Sequence, residues 1–247
     1  MLVIALGIQI ISYLLGLVLY RKEVNGRRMV LRYATICSNA GFMGNPVVEG
    51  IYGSQGLLYA SVYLIPLRIF MWSAGLSCFT VASPKDIVKK LVHHPCIIAV
   101  VIGMALMPFP DVVPSFLLQT MQSCSKCVLP VSMIVIGSIL SEADIRKMLK
   151  GSTLFYCVVR LLGIPAVTMV VCRLLGMGAL VTGVCTILAG MPAGSTTAIL
   201  AEKYDGDAKY ASECVFLSTV LSLFTMPLLY MIPVSYTHLT LPTKRIV

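Results

Sequence analysis

Eight apolar stretches divide this sequence, and each is close to the roughly 20 residues that a helix needs to cross a bilayer. They cover about residues 2–20, 29–52, 56–80, 92–109, 114–140, 152–176, 178–201 and 211–233. The chain is 58% hydrophobic and only 12% charged, whereas a soluble globular domain carries about 25% charged residues. The pattern therefore predicts an all-α, polytopic membrane protein of about eight transmembrane helices.

The formal net charge of +9 would suit a nucleic-acid-binding protein if the cations shared one face. Here Lys and Arg are scattered into short loops, so we expect no nucleic-acid partner and a lipid bilayer instead. The loops after the odd-numbered spans carry several cations, and the loops between them carry at most Arg173. By the positive-inside rule the charged loops are cytoplasmic. We expect an integral protein of the cell (plasma or inner) membrane with both termini facing outward.

Two of the spans are interrupted by glycine and proline. The first contains Gly44-Asn45-Pro46, and the second contains Gly190-Met191-Pro192. Proline removes a backbone N–H, clashes with the preceding turn and disfavours the helical region for the residue before it. The sequence therefore predicts one break at Gly44-Asn45-Pro46 and another at residues 189–197. Two interrupted helices in corresponding positions of two halves are typical of a secondary transporter's binding site.

The halves themselves are predicted to be inverted repeats. Each interrupted span is followed by a short polar turn, a Tyr-Ala-Ser triplet (Tyr59 and Tyr210) and a full span. The loop charges give the two interrupted spans opposite directions. We assign residues 1–80 to the first repeat and 81–233 to the second. Residues 234–247 are polar, resemble a translated sequencing adapter and are treated as a non-native tail.

A broken helix offers the means to bind an anion. The second half-helix presents unpaired N–H groups and the positive end of its dipole, which attract carboxylates. Asparagine amides and serine or threonine hydroxyls near each break add donors and acceptors. The predicted substrate-binding residues are Asn39, Gly44, Asn45, Pro46, Met191, Pro192, Ala193, Gly194, Ser195 and Thr196.

Ionisable residues inside the spans are costly in lipid and usually face a cavity or a partner. The cations are Arg68, Lys126 and Arg160, and the candidate acids are Glu49 and Glu213. The excess of cations favours an anionic substrate, although each cation is also compatible with a simple ion pair or with snorkelling to an interface. Glu49 is the candidate for coupling to a proton or a cation.

At these residues the chain resembles the auxin efflux carrier family of permeases. Asn39-Ala-Gly-Phe-Met-Gly44-Asn45-Pro46 is similar to that family's Asn-x-x-x-Met-Gly-x-Pro, and Gly190 to Gly194 is similar to its second crossing segment. The resemblance implies two inverted five-helix repeats with broken helices that cross at their prolines. It further implies substrates such as auxin or malate-like carboxylates, a substrate contact at Asn39 and a homodimer. Aligned this way, the chain is truncated by two N-terminal helices.

The leading interpretation is a secondary permease or efflux carrier for a small organic carboxylate, working by alternating access. A sodium-coupled symporter of the bile-acid type and a non-transporting fragment stay open as alternatives. An intramembrane enzyme would need two aspartates or a His-Glu-x-x-His helix at depth. The aspartates fall in loops, and Cys124-Ser-Lys-Cys127 lacks a second pair of metal ligands. We therefore expect no enzyme activity, no cofactor and no metal.

Overall fold

The structure is a computed structural model that describes residues 1–79, 93, 95–106, 108–109, 112–141 and 151–240. Its regular elements within those residues are all helices. They are α1 (Leu2–Leu19), α2 (Asn25–Ile36), α3 (Asn45–Phe70), α4 (Pro95–Leu106), α5 (Ser115–Ser141), α6 (Gly151–Val158), α7 (Ile164–Leu174), α8 (Ala179–Ala189), α9 (Thr196–Lys203) and α10 (Ala208–Thr240). Wider π-helical turns occupy Ala40–Gly44, Met71–Gly75 and Val159–Gly163, and a short 3-10 turn covers Leu76–Cys78.

The predicted all-α membrane fold is confirmed. Every predicted span coincides with a helix or with a pair of half-helices in the described residues. Among the described residues, four helical stretches are long and apolar enough to cross a membrane by themselves: Leu2–Leu19, Ala40–Cys78, Gly151–Leu174 and Ala208–Met231. Many of their large apolar side chains point outward, as a chain solvated by lipid tails requires.

Both interrupted spans are broken, but the first break lies earlier than predicted. In the second of the two, α8 ends at Ala189 and α9 begins at Thr196, as expected. In the first, α2 ends at Ile36 and helical structure resumes at Ala40. The prediction of a break at Gly44-Asn45-Pro46 is therefore wrong, and Asn39 lies at the break itself.

The proline at position 46 is accommodated because of the turn before it. Asn45 is helical, with φ −57° and ψ −51°, and its N–H donates to the carbonyl of Ala40 five residues back. The π-helical turn has one residue more than an α-helical turn, which gives the proline ring room. Pro46 then lies in the first turn of α3, where a helix has no use for its N–H.

Gly53 turns the chain back on itself. Its φ of 65° and ψ of −158° interrupt the helical conformation inside α3, and a positive φ of this kind favours glycine. In a hairpin of two antiparallel helices, residues that are equally far from the turn in the sequence lie side by side, because both helices have the same rise per residue. Asn39 and Arg68 are nearly equidistant from Gly53. The hairpin therefore returns Arg68 to the level of the first break.

Two buried clusters pack on either side of the breaks. One joins α2, α6, α9 and the start of α10, and it includes Ala193. The other joins α1, both arms of the α3 hairpin, α7 and α8, and it includes Met191. The second break thus passes from one cluster into the other, and the crossing of the two chains lies between them.

The repeat boundaries stay predictions, because residues 80–92 lie outside the described part of the chain. The antiparallel course of the two breaks, described below, is the one that inverted repeats require. Helix α10 continues to Thr240, into the segment 234–247 that we expect to be non-native. That origin also stays a prediction.

Candidate functional site

The two breaks pair with each other. Ser38 and Ala193 form an isolated antiparallel bridge. The N–H of Asn39 donates to the carbonyl oxygen of Pro192 at 2.8 Å, and the N–H of Gly194 donates to the carbonyl oxygen of Cys37 at 2.9 Å. The broken chains therefore cross while running in opposite directions, and each supplies backbone partners that the other has lost.

Side chains satisfy further backbone groups at the crossing. The N–H of Ala193 donates to Ser218 Oγ at 3.1 Å. Arg160, only 2% exposed, donates from Nε to the carbonyl oxygen of Met191 at 3.0 Å and from Nη1 to that of Thr35 at 2.9 Å. An unpaired backbone group in a bilayer costs several kcal/mol, so non-helical backbone persists there only with such partners.

Glycine permits the close approach of the two chains. A Cβ added to Gly44 would lie 2.6 Å from Leu188 Cδ2 and 3.3 Å from Met191 Cγ. A Cβ on Gly194 would lie 3.3 Å from the carbonyl oxygen of Cys37. Gly44 therefore contributes packing between the start of α3 and the end of α8, and we assign it no direct role in binding.

A cavity of about 70 Å³ opens beside the crossing. One wall comes from the first break, the second from the far arm of the α3 hairpin, and the third from the second break. The lining residues are Ser38, Asn39, Gly41, Phe42, Leu67, Arg68, Met71, Trp72, Gly194, Ser195 and Thr196.

The wall that the first break contributes contains two buried polar side chains, Ser38 and Asn39. Asn39 is 3% exposed and Ser38 is 4% exposed, and neither Asn39 Oδ1 nor Ser38 Oγ has a hydrogen-bond partner among the described residues. A buried polar group without a partner costs about 1–3 kcal/mol. A ligand that supplies the partners recovers that free energy. Thr196 Oγ1 is already oriented, because it accepts a hydrogen bond from the hydroxyl of Tyr33 at 3.2 Å.

The electrostatics of the cavity are positive. The guanidinium of Arg68 approaches the first break, where its Nη2 lies 3.0 Å from the position of a Cβ on Gly41. The helical segments that begin at Ala40 and Thr196 both start at the cavity. Their first N–H groups have no carbonyl of their own helix to bind, and they carry the positive ends of the dipoles. Within the part of the chain that the structure describes, no acidic residue lines the cavity.

The predicted binding residues separate into two groups. Asn39, Gly194, Ser195 and Thr196 line the cavity, together with the predicted charge-pairing residue Arg68. The others form the crossing around it without lining it: Gly44, Asn45, Pro46, Met191, Pro192 and Ala193.

The remaining ionisable candidates lie elsewhere. Glu49 is exposed and is not part of the lining. Arg160 is buried on the carbonyl side of the crossing, and Glu213 is buried in α10. Lys126 belongs to α5, and its side chain lies outside the described part of the structure.

Sequence reasoning missed six lining residues, namely Ser38, Gly41, Phe42, Leu67, Met71 and Trp72. The first three surround Asn39, so a break placed at its true position would have included them. The other three come from the far arm of the hairpin. A hairpin turn at Gly53 would have predicted them, because it brings the residues around Arg68 next to Asn39.

Comparison with known proteins indicates a family of membrane transport proteins. A family model described as "Membrane transport protein" matches residues 1–83 and 77–230. An uncharacterized transporter of Methanothermobacter thermautotrophicus is 29% identical over 208 residues, which cover 83% of this chain and 68% of the relative. An uncharacterized transporter of Methanocaldococcus jannaschii is 24% identical over 235 residues, which cover 90% of this chain and 74% of the relative.

These matches extend over both breaks and over the hairpin between them. They indicate a transport protein of the membrane rather than an enzyme. With the model matching most of its length, the chain belongs to the membrane transport protein family, which is of the auxin efflux carrier type.

Proposed function

We propose that this protein is a secondary transporter for a small organic carboxylate, and that the cavity at the crossing of the two broken helices binds the anion. The observation that carries the proposal is the charge of that cavity. It combines Arg68 with the positive ends of two helical segments, and none of the described residues that line it is acidic. An anion is the ligand that such a surface favours.

The side chains support a carboxylate with a further polar group. Arg68 offers a planar fork of N–H donors that matches a carboxylate. Asn39 Oδ1 and Ser38 Oγ are unpaired acceptors, and Ser38 is also a donor, so they suit a hydroxyl group on the same molecule. The cavity is small, and this favours a compact substrate, such as the malate-like carboxylates that the family resemblance implies, over a large amphipathic one.

Alternating access follows from where the ligand sits. The first break and the second contribute opposite walls of the cavity, and each break joins two half-helices that pack in different clusters. An anion bridging the walls couples the two broken helices, so they move together relative to the rest of the bundle. Ion coupling, the homodimer, the plasma or inner membrane and the outward termini stay predictions.

The sodium-coupled alternative relies on acidic ligands near the crossing. Glu49, the acid nearest to the first break in the sequence, is exposed and does not line the cavity. This placement gives the coupling role of Glu49 no structural support and favours the anion-binding hypothesis over the bile-acid type. The transport assay described next distinguishes a transporter from a non-transporting fragment.

The test is uptake and efflux of radiolabelled malate, succinate and indole-3-acetate in proteoliposomes, with and without sodium. Asn39→Ala removes the unpaired amide oxygen, and Asn39→Asp places a negative charge in the cavity with little change in shape. We expect both variants to lose binding, the aspartate variant more severely. Asn25→Ala, at an exposed asparagine, is the matched control. Wild-type affinity in Asn39→Asp, or no transport of any carboxylate by the wild-type chain, would refute the proposal.

A further inference from the structure

The inference concerns Arg160 and deepens the proposed function, on which it rests. Arg160 lies in the π-helical turn Val159–Gly163 and donates to backbone carbonyls of the crossing. The sequence predicted that it would pair with a charge or face the substrate. Arg160 is absent from the cavity lining. Its guanidinium is buried, and among the described residues no carboxylate forms an ion pair with it. A charge held this deeply needs a compensating partner.

The compensation comes from two carbonyl groups that the breaks have orphaned. In a continuous helix the carbonyl of Thr35 would accept the N–H of Asn39, but that N–H donates to Pro192 instead. Arg160 Nη1 takes its place at 2.9 Å. The carbonyl of Met191 lies just past the end of α8, and Arg160 Nε donates to it at 3.0 Å.

These carbonyls lie at the C-terminal ends of the two preceding half-helices, α2 and α8. Such ends carry the negative poles of the helix dipoles, which a cation stabilises. The planar fork of Arg160 binds one carbonyl from each half-helix at once. That contact fixes the angle and the register at which the two broken chains cross, and with them the positions of Asn39 and of the N–H groups of α9.

We propose that Arg160 is a positioning residue of the anion site. By binding the carbonyl ends of α2 and α8, it holds the amide ends of the segments that begin at Ala40 and Thr196 on the cavity side. The crossing then carries its own fixed cation. A mobile cation such as sodium is not needed to neutralise the carbonyl ends, so anion binding is independent of sodium.

The test uses the purified full chain in detergent, with thermal unfolding and equilibrium binding of radiolabelled malate as separate measurements. We expect Arg160→Ala to weaken malate binding about tenfold or more. Ethylguanidinium should restore binding to this variant, because it supplies the missing fork to the vacated space. Arg160→Lys should recover part of the affinity, since an ammonium is a point charge and cannot span both carbonyls equally well. Arg173→Ala, at an exposed arginine, is the control at the same ethylguanidinium concentration.

The outcomes separate this inference from the proposed function. Wild-type malate affinity in Arg160→Ala overturns the inference, and so does a variant whose binding ethylguanidinium does not restore although the variant is folded. A wild-type chain that binds malate only with sodium overturns the fixed-cation role. If the wild-type chain binds no carboxylate, the proposed function fails. In that case a rise in the thermal midpoint of Arg160→Ala with ethylguanidinium, absent in wild type, still supports the contact with both carbonyls, and no rise refutes it.

Discussion

Replacing Arg68 by glutamine tests the source of anion selectivity. In the proposed complex the guanidinium donates to the substrate carboxylate from the far arm of the α3 hairpin. Glutamine keeps a polar side chain of related shape and removes the charge and the fork. Hydrogen bonds to charged groups contribute about 1.5–3 kcal/mol, which corresponds to roughly a 10- to 150-fold change in dissociation constant. Arg68 is only half-buried, so screening places the expected loss near the lower end, about 10- to 30-fold.

The assay is equilibrium binding of radiolabelled malate to purified protein at two salt concentrations. Arg68→Lys retains the charge without the fork, and we expect an intermediate loss. Arg21→Gln is the matched control, because Arg21 is exposed at the end of α1 and bonds only a backbone carbonyl among the described residues. The salt dependence should be weaker in Arg68→Gln than in wild type, since one cation that the substrate contacts is gone.

An unchanged dissociation constant in folded Arg68→Gln would refute the reasoning. The positive charge of the cavity would then come from the helix ends alone, or the anion would bind elsewhere. Equal losses in Arg68→Gln and Arg21→Gln would mean that binding responds to the overall charge of the chain and not to the cavity.

Two glycines and a proline test the packing of the crossing through thermal unfolding. Gly44→Ala should destabilise the protein by about 1–3 kcal/mol, because the new Cβ would lie 2.6 Å from Leu188 Cδ2; an unchanged midpoint would contradict the close approach. Gly50→Ala is its control in the same helix, where a Cβ meets nothing within 4 Å, and we expect a small gain of about 0.5–1 kcal/mol. Pro46→Ala should leave both the thermal midpoint and malate binding nearly unchanged, because Pro46 lies in the first turn of α3. Loss of malate binding in this variant would mean that Pro46 itself is needed for the site.

Much of the fold could be predicted because lipid imposes a simple rule on the chain. Apolar length predicts helices, and the interruptions around Pro46 and Pro192 correctly identify the two spans that break. The position of the second break was also predicted correctly. The segment from Gly190 to Gly194 contains two glycines, and no π-helical turn precedes Pro192 to accommodate its ring. Local sequence contained the information in these cases.

The first break was misplaced because its position is decided by a remote partner. The steric rule for proline considers only the preceding turn, and a π-helical turn at Ala40–Gly44 satisfies that rule without breaking the chain. The chain opens instead at residues 37–39, where the carbonyl of Cys37 and the N–H of Asn39 form hydrogen bonds with the second break. No periodicity near Ser38 indicates this, because the bonding partners come from the other half of the sequence.

Arg68 and Arg160 together show why charge alone did not identify the site. In the sequence Arg68 and Arg160 are equivalent, as single cations in apolar spans. The structure places Arg160 at the carbonyl ends of α2 and α8, where two hydrogen bonds and two dipoles stabilise it. Arg68 lies at the amide ends, where the dipoles have the same sign as its own charge and the described lining residues include no acid. The fold compensates one cation, whereas the other leaves a positive cavity, which in the proposed function is neutralised by an anion from solution. On the proposed function, this difference in helix polarity, and not the number of cations, determines where the substrate binds.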